Sequence, residues 1–110
     1  MTASTTASAN ATLRPATDAD LPAVERLLTA NSLPLEGVRD ALKDFVVAES
    51  HGWIVGVAGL EICSDSALLR SVAVSPDWRG KGVGRALVTR LIADAEARGV
   101  RALYLLTTTA

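Results

Sequence analysis

Val72-Ala73-Val74-Ser75-Pro76-Asp77-Trp78-Arg79-Gly80-Lys81-Gly82-Val83-Gly84-Arg85 is the stretch that decides the fold. Ala67 to Val74 is an apolar run that reads as a strand, and Ser75 to Trp78 reads as a turn around Pro76. The glycine-rich Arg79–Gly84 segment then opens a helix expected to run to about Arg98. Within it Leu87, Leu91 and Ala95, with Val88 and Ile92, form an apolar stripe, and Gly99 is a natural residue to end it. A strand, a glycine turn and a helix start together make an anion site. Glycines let the backbone approach the ligand with its N–H groups turned inward. The helix start adds unpaired donors and the positive end of its dipole. Arg79, Lys81 and Arg85 add cations, so the expected cargo is a pyrophosphate. The string Gly-x-x-x-x-Gly-Lys-Ser/Thr of a P-loop does not occur, and neither Gly80 nor Gly82 begins a Gly-x-Gly-x-x-Gly dinucleotide fingerprint.

Downstream, Arg101 to Thr107 reads as a strand reached only after the helix, so it should run parallel to Ala67–Val74. Upstream, Phe45–Glu49, Trp53–Cys63 and Ala67–Val74 are joined by the short turns Ser50-His51-Gly52 and Ser64-Asp65-Ser66, which predicts an antiparallel meander. Gly56 and Gly59 inside the middle strand suggest close packing or a bulge. Thr12 to Ala16 reads as a further short strand. Thr17, Asp18 and Asp20 offer capping oxygens, and Pro22 suits a first helical turn. Leu21, Val24, Leu27 and Leu28 share one face of the helix that follows, and Val38 to Lys43 reads as a short second helix. Residues 1–11 carry no charged side chain and no apolar stretch; they read as a disordered tail ahead of a single domain at 12–110. The fold class is therefore α+β (α/β), with a mixed sheet built from a meander plus one βαβ crossover.

With 110 residues, 49% hydrophobic and 21% charged, the chain has the material for one core. A net charge of −1 gives no reason to expect nucleic acid or an anionic membrane as partner. The single cysteine, Cys63, fits a reducing cytoplasm and forms no internal disulfide. One Cys and one His, His51, leave no thiolate or imidazole set for a metal.

Arg-x-x-Gly-x-Gly after Val72-Ala73-Val74 and Pro76 resembles motif A of the GCN5-related N-acetyltransferases (GNAT family), which hold the pyrophosphate of acetyl-coenzyme A there. Leu13-Arg14-Pro15-Ala16-Thr17-Asp18-Ala19-Asp20-Leu21 also looks like that family's N-terminal block. Val57-Ala58-Gly59-Leu60-Glu61, Leu68-Leu69-Arg70-Ser71-Val72-Ala73-Val74 and Leu103-Tyr104-Leu105-Leu106-Thr107-Thr108-Thr109 resemble more narrowly the arsenic-resistance N-acetyltransferases. The resemblance covers most of Leu13–Thr109. It implies acetyl-CoA as cosubstrate, no metal, and transfer to the primary amine of a small molecule, such as an amino-acid-like or arsenical toxin. It also implies a splay between the strands flanking the helix, with the pantetheine arm paired to Val72, Ala73 and Val74.

The cofactor-binding residues so implied are Val72, Ala73, Val74, Arg79, Gly80, Lys81, Gly82, Val83, Gly84 and Arg85. The family continues after its last matched strand with a helix and two strands that close the acceptor pocket; relative to it, this chain is expected to be C-terminally incomplete. The last strand, left open, is then a candidate for pairing in a homo-oligomer. Many members carry a Glu near the acceptor amine on the strands that correspond here to Leu68–Ser71 and Tyr104–Thr107, which hold no carboxylate. Glu61 is the nearest candidate base, acting through water, with a solvent-facing Glu as the ordinary alternative. Arg70 is a candidate for a substrate carboxylate, or an ordinary strand Arg. Tyr104 reads as a packed strand residue, Ser71 has no paired base, and nothing brings His51 to Cys63. The competing reading of the whole is a non-catalytic acetyl-CoA-binding module or an inactive fragment of such an enzyme.

Overall fold

The computed structural model describes residues 6–8 and 11–105. Its strands are β1 (Thr6–Ser8), β2 (Ala11–Pro15), β3 (Phe45–Ser50), β4 (Trp53–Cys63), β5 (Ser66–Val74) and β6 (Ala102–Leu105). They lie in one sheet in chain order; β1 to β5 are successively antiparallel, and β6 is parallel to β5. The helices are α1 (Leu21–Ala30), α2 (Val38–Ala41) and α3 (Val83–Ala97). The meander and the single crossover expected from the sequence are both present.

Three expectations need correction. Thr6–Ser8 is a strand rather than part of a tail: Thr6 pairs with Thr12 and Ser8 with Ala11, and Ala11 is buried. Ser/Thr/Ala stretches carry no apolar periodicity, yet a strand needs only backbone pairing to form. The rest of the expected tail, residues 1–5, 9 and 10, lies outside the described residues. The predicted Val38–Lys43 helix is one turn of α-helix followed by a 3-10 turn, Leu42–Asp44. Tyr104 is not packed; it is 60% exposed. The expected end of the last strand, at Leu106 and Thr107, also lies outside the described residues.

Each face of the sheet is covered by helices. Leu13, Val46, Ala48, Ala58, Leu60, Ala67 and Leu69 meet Val83, Leu87, Leu91 and Ala95, the apolar stripe of α3. Val47, Val57, Phe45 and Ala73 meet Leu21, Val24, Leu27 and Leu28 of α1 and Val38 of α2 on the other side. Gly59 lies against Phe45 so closely that a Cβ there would overlap the ring.

The junction of β2 and α1 is tied by one arginine. Arg14 donates Nη1 to Asp20 Oδ2 (2.8 Å), Nη2 to Asp20 Oδ1 (2.9 Å) and Nε to Glu49 Oε1 (2.8 Å). The Thr17 N–H and hydroxyl donate to the same Asp20 oxygen at 2.8 and 3.1 Å. The Arg14 hydrogen bonds outweigh the opposing effect of burial and hold the Asp20 carboxyl down at about 2. This fork fixes the entry of α1 to the sheet and explains Arg14 and Asp20 in the N-terminal block.

Candidate active site

The site is built where β5 hands over to α3. The register between β4 and β5 shifts here: Val57 faces Ala73 and Gly59 faces Arg70, so β5 carries one extra residue. Ser71, within that extra length, has φ of 58°. This is a β-bulge, and it reverses the alternation of side chains. Ala67 and Leu69 face α3 before it; Val72 and Val74 face α3 after it, and Ala73 turns to α1. Parallel pairing of β5 with β6 runs from Ser66↔Ala102 to Leu69↔Leu105. Among the described residues nothing pairs with Arg70–Val74 on that side. Val72, Ala73 and Val74, for which the family resemblance implies contact with a pantetheine arm, lie in this stretch.

Beyond Val74, Ser75 donates its N–H to Val55 O (2.8 Å), and a 3-10 turn, Pro76–Trp78, carries the chain into the glycine loop. Gly80 and Gly82 have φ of 77° and 84°, and a Cβ at either would meet nothing within 4 Å. Here the glycines serve conformation, not close packing, and they leave room on the outer side of the loop. The first helical bond of α3 runs from the Ala86 N–H to Gly82 O (3.0 Å), so the N–H groups of Val83, Gly84 and Arg85 have no acceptor within the helix. No acidic residue lies in its first turn. Val83 is buried and anchors the helix start, and a Cβ on Gly84 would sit 3.5 Å from Val74 Cγ2. The loop and the end of β5 are thus one surface.

Of the three cations, Arg79 is tethered. Its Nη2 donates to Asn31 Oδ1 (2.7 Å) and its Nε to Val74 O (3.3 Å). Asn31 in turn donates Nδ2 to Leu27 O (2.9 Å), closing α1. Lys81 and Arg85 are exposed and make no ion pair among the described residues. Asn31 escaped the sequence reading, since nothing local marks a contact made 48 residues away.

The two acceptor-side candidates also come together. Arg70 and Glu61 lie on the α1/α2 face, with Arg70 Nη1 to Glu61 Oε1 at 3.4 Å. Glu61 is half exposed, and Arg70 is largely covered by the loop between α1 and α2. Glu61 pairs with Leu68 and so stands about 20 Å along the strand from Val74 and the loop. His51 and Cys63 lie at opposite ends of β4, as expected of a turn histidine and a strand-end thiol. Among the described residues no group of His, Cys, Asp and Glu could hold a metal, and no helix is long and apolar enough to cross a membrane.

A bulged strand that leads through a cationic glycine turn into a helix start defines a class of anion-binding βα junctions. The sequence profile of the Acetyltransferase (GNAT) family matches residues 10–110, and the chain belongs to that family. Among curated relatives, an amino-acid acetyltransferase of Mycobacterium tuberculosis is 33% identical over 105 residues, 86% of this chain and 60% of the relative. The ribosomal protein bS18-alanine N-acetyltransferase of Escherichia coli is 40% identical over 55 residues, 50% of this chain and 37% of that protein. Among solved structures, a Mycobacterium tuberculosis protein in complex with CoA superposes with TM-score 0.79 at 31% identity, covering 86% of this chain and 63% of that one. The N-acetylglutamate synthase of Neisseria gonorrhoeae, complexed with coenzyme A and L-arginine, gives 0.80 at 26% identity, covering 92% of this chain and 25% of that one. The chain therefore spans less than two thirds of the length of each of these relatives.

Proposed function

We propose that this chain is an acetyl-CoA-dependent N-acetyltransferase acting on the primary amine of a small, amino-acid-like molecule. The observation that carries the reading is the anion cradle: Gly80 and Gly82 at positive φ, three unpaired N–H groups at the start of α3, and Lys81 and Arg85 beside them. It suits a pyrophosphate held by backbone donors and mobile cations. The amino-acid acetyltransferase of Mycobacterium tuberculosis supports the acceptor class. An arsenical amino-acid analogue belongs to the same chemical class and is one member of the acceptor panel.

In this reading the backbone of Val72–Val74 orients the thioester by strand-like pairing, and an N–H at the bulge polarises its carbonyl oxygen. The free amine attacks the carbonyl carbon. The C–N bond forms, the C–S bond breaks, the nitrogen loses a proton and the sulfur gains one. Glu61, half exposed, takes the amine proton through water. Among the described residues β6 pairs with β5 alone, and its Leu103 is 37% and Tyr104 60% exposed; this supports self-association through that strand, measured by sedimentation against concentration.

Gly82→Asp tests the cradle. It adds a Cβ at φ 84° and a carboxylate on the anion side. Isothermal titration should show coenzyme A binding weakened at least about tenfold, about 1.4 kcal/mol. A folded variant that binds as tightly as the parent would sink the assignment. Thiol release from acetyl-CoA with a panel of amines separates an enzyme from a binding module: binding without release in any arm favours the module.

A further inference from the structure

We propose that Arg70 is a positioning residue: its guanidinium clamps the loop between α1 and α2 onto the β5 bulge and so holds the acceptor-side wall of the site. The inference rests on the acetyltransferase reading above. Arg70 has a side chain only 12% exposed. Each of its three nitrogens has a separate task. Nε donates to Ser71 Oγ (2.9 Å), Nη2 donates to Glu36 O (2.8 Å), and Nη1 faces Glu61 Oε1 (3.4 Å). A planar guanidinium presents donors from three separate nitrogens in one fixed fork, whereas an ammonium has a single nitrogen to share among such partners.

Both ends of the clamp are fitted to it. Gly37, next to Glu36, has φ of 78°, and a Cβ there would lie 3.2 Å from Arg70 Nη1. That is tighter than ordinary van der Waals contact, so a Cβ at 37 would require the guanidinium to give by a few tenths of an ångström. At the other end, Ser71 sits in the left-handed region within a strand, where a non-glycine residue is strained. Its hydroxyl accepts the Arg70 Nε–H, so the same cation that grips the loop also holds the strained residue beside Val72. One side chain thereby joins the bulge, where the carbonyl would be polarised, to the loop covering the α1/α2 face. Little of the guanidinium fork is left for a substrate carboxylate, because two donors already serve neutral acceptors and a third faces Glu61.

The test compares the parent with Arg70→Met, Arg70→Lys and Gly37→Ala. Amide hydrogen exchange needs no activity. All three variants should speed exchange across 33–38 by at least about tenfold, while the β2–β4 strands stay protected. Unchanged exchange there in the variants that fold overturns the clamp. Kinetics with L-phenylalanine and with phenethylamine, which lacks the carboxylate, separates the clamp from a carboxylate ligand. The clamp predicts that Arg70→Met raises the amine KM about tenfold for both acceptors, with the KM of acetyl-CoA within about twofold. A rise for L-phenylalanine alone assigns Arg70 to the substrate carboxylate and overturns the proposal, as does an equal rise in the acetyl-CoA KM. If the parent itself fails to bind coenzyme A, the acetyltransferase reading fails, and the clamp is judged on exchange alone.

Discussion

At Gly59 one added methyl group would fall inside the ring of Phe45, which is itself 1% exposed and cannot swing away. Gly59→Ala should therefore destabilise the protein by about 1–3 kcal/mol through overpacking. Gly56 is a useful contrast. A Cβ there meets Val83 Cγ1 at 2.9 Å and Leu87 Cδ1 at 3.0 Å, a much shallower overlap that a shift of a few tenths of an ångström would relieve. Urea unfolding should rank Gly59→Ala below Gly56→Ala, and Phe45→Leu in the Gly59→Ala background should recover part of the loss. An additive double mutant would mean that the ring is not the obstacle. At this scale the sequence was informative about type and not about partner. Two glycines within a strand announce close packing or a bulge. Only the fold says that one faces Phe45 and the other α3.

The elements that carried strong periodicity were readable in advance. The stripe of α3, the apolar runs of β3, β4 and β5 with the short turns between them, and the strand–glycine–helix junction all follow from local spacing, because the residues that define them are neighbours in sequence. What escaped is set by distance along the chain. Arg70 reaches Glu36 across 34 positions and Arg79 reaches Asn31 across 48, and no local rule links such pairs. The extra residue in β5 also left no mark, since Ser71 is an unremarkable residue for a strand and an unusual one at φ 58°. The Arg14–Asp20 fork lies between these cases: capping was legible at Thr17 and Asp20, the arginine was not. Its pH dependence has a definite sign. Asp20 is lowered from an ordinary 3.8 to about 2 in the folded protein. A lowered carboxyl contributes stability that is complete above the unfolded value and is lost as pH falls through the folded one. Asp20→Asn should thus cost about 1–3 kcal/mol at neutral pH, the usual effect of breaking a charged hydrogen-bond set. The gap between parent and variant should be flat above about pH 5 and narrow between about pH 4 and 2. A gap that stays constant to pH 2 would show that the fork contributes nothing through its charge.

For the molecule as a whole, net charge is a poor guide to what it attracts. The chain carries −1 overall, yet Arg79, Lys81 and Arg85 lie within seven residues at the positive end of α3, and no acid shares its first turn. In the proposed reading, attraction of a pyrophosphate is then local, short-ranged and open to salt. Coenzyme A at about a hundredfold its Kd should add about 2.7 kcal/mol to stability. For a domain of this size that is a rise in Tm of roughly 10–20 °C. Because Lys81 and Arg85 are exposed, their share of the binding should weaken as the screening length falls from about 10 Å at 0.1 M salt to about 3 Å at 1 M. The share of the backbone N–H groups of Val83, Gly84 and Arg85 should change far less, since they hydrogen-bond at contact. Lys81→Gln with Arg85→Gln should therefore shrink the shift in Tm at low salt and flatten its dependence on salt. Gly82→Asp, which strains the loop and blocks its outer side, should lower the shift at every salt concentration. Thermal melts of the three proteins with and without coenzyme A, at low and high salt, read both terms. A shift that ignores salt and survives the double substitution would place the pyrophosphate away from this loop.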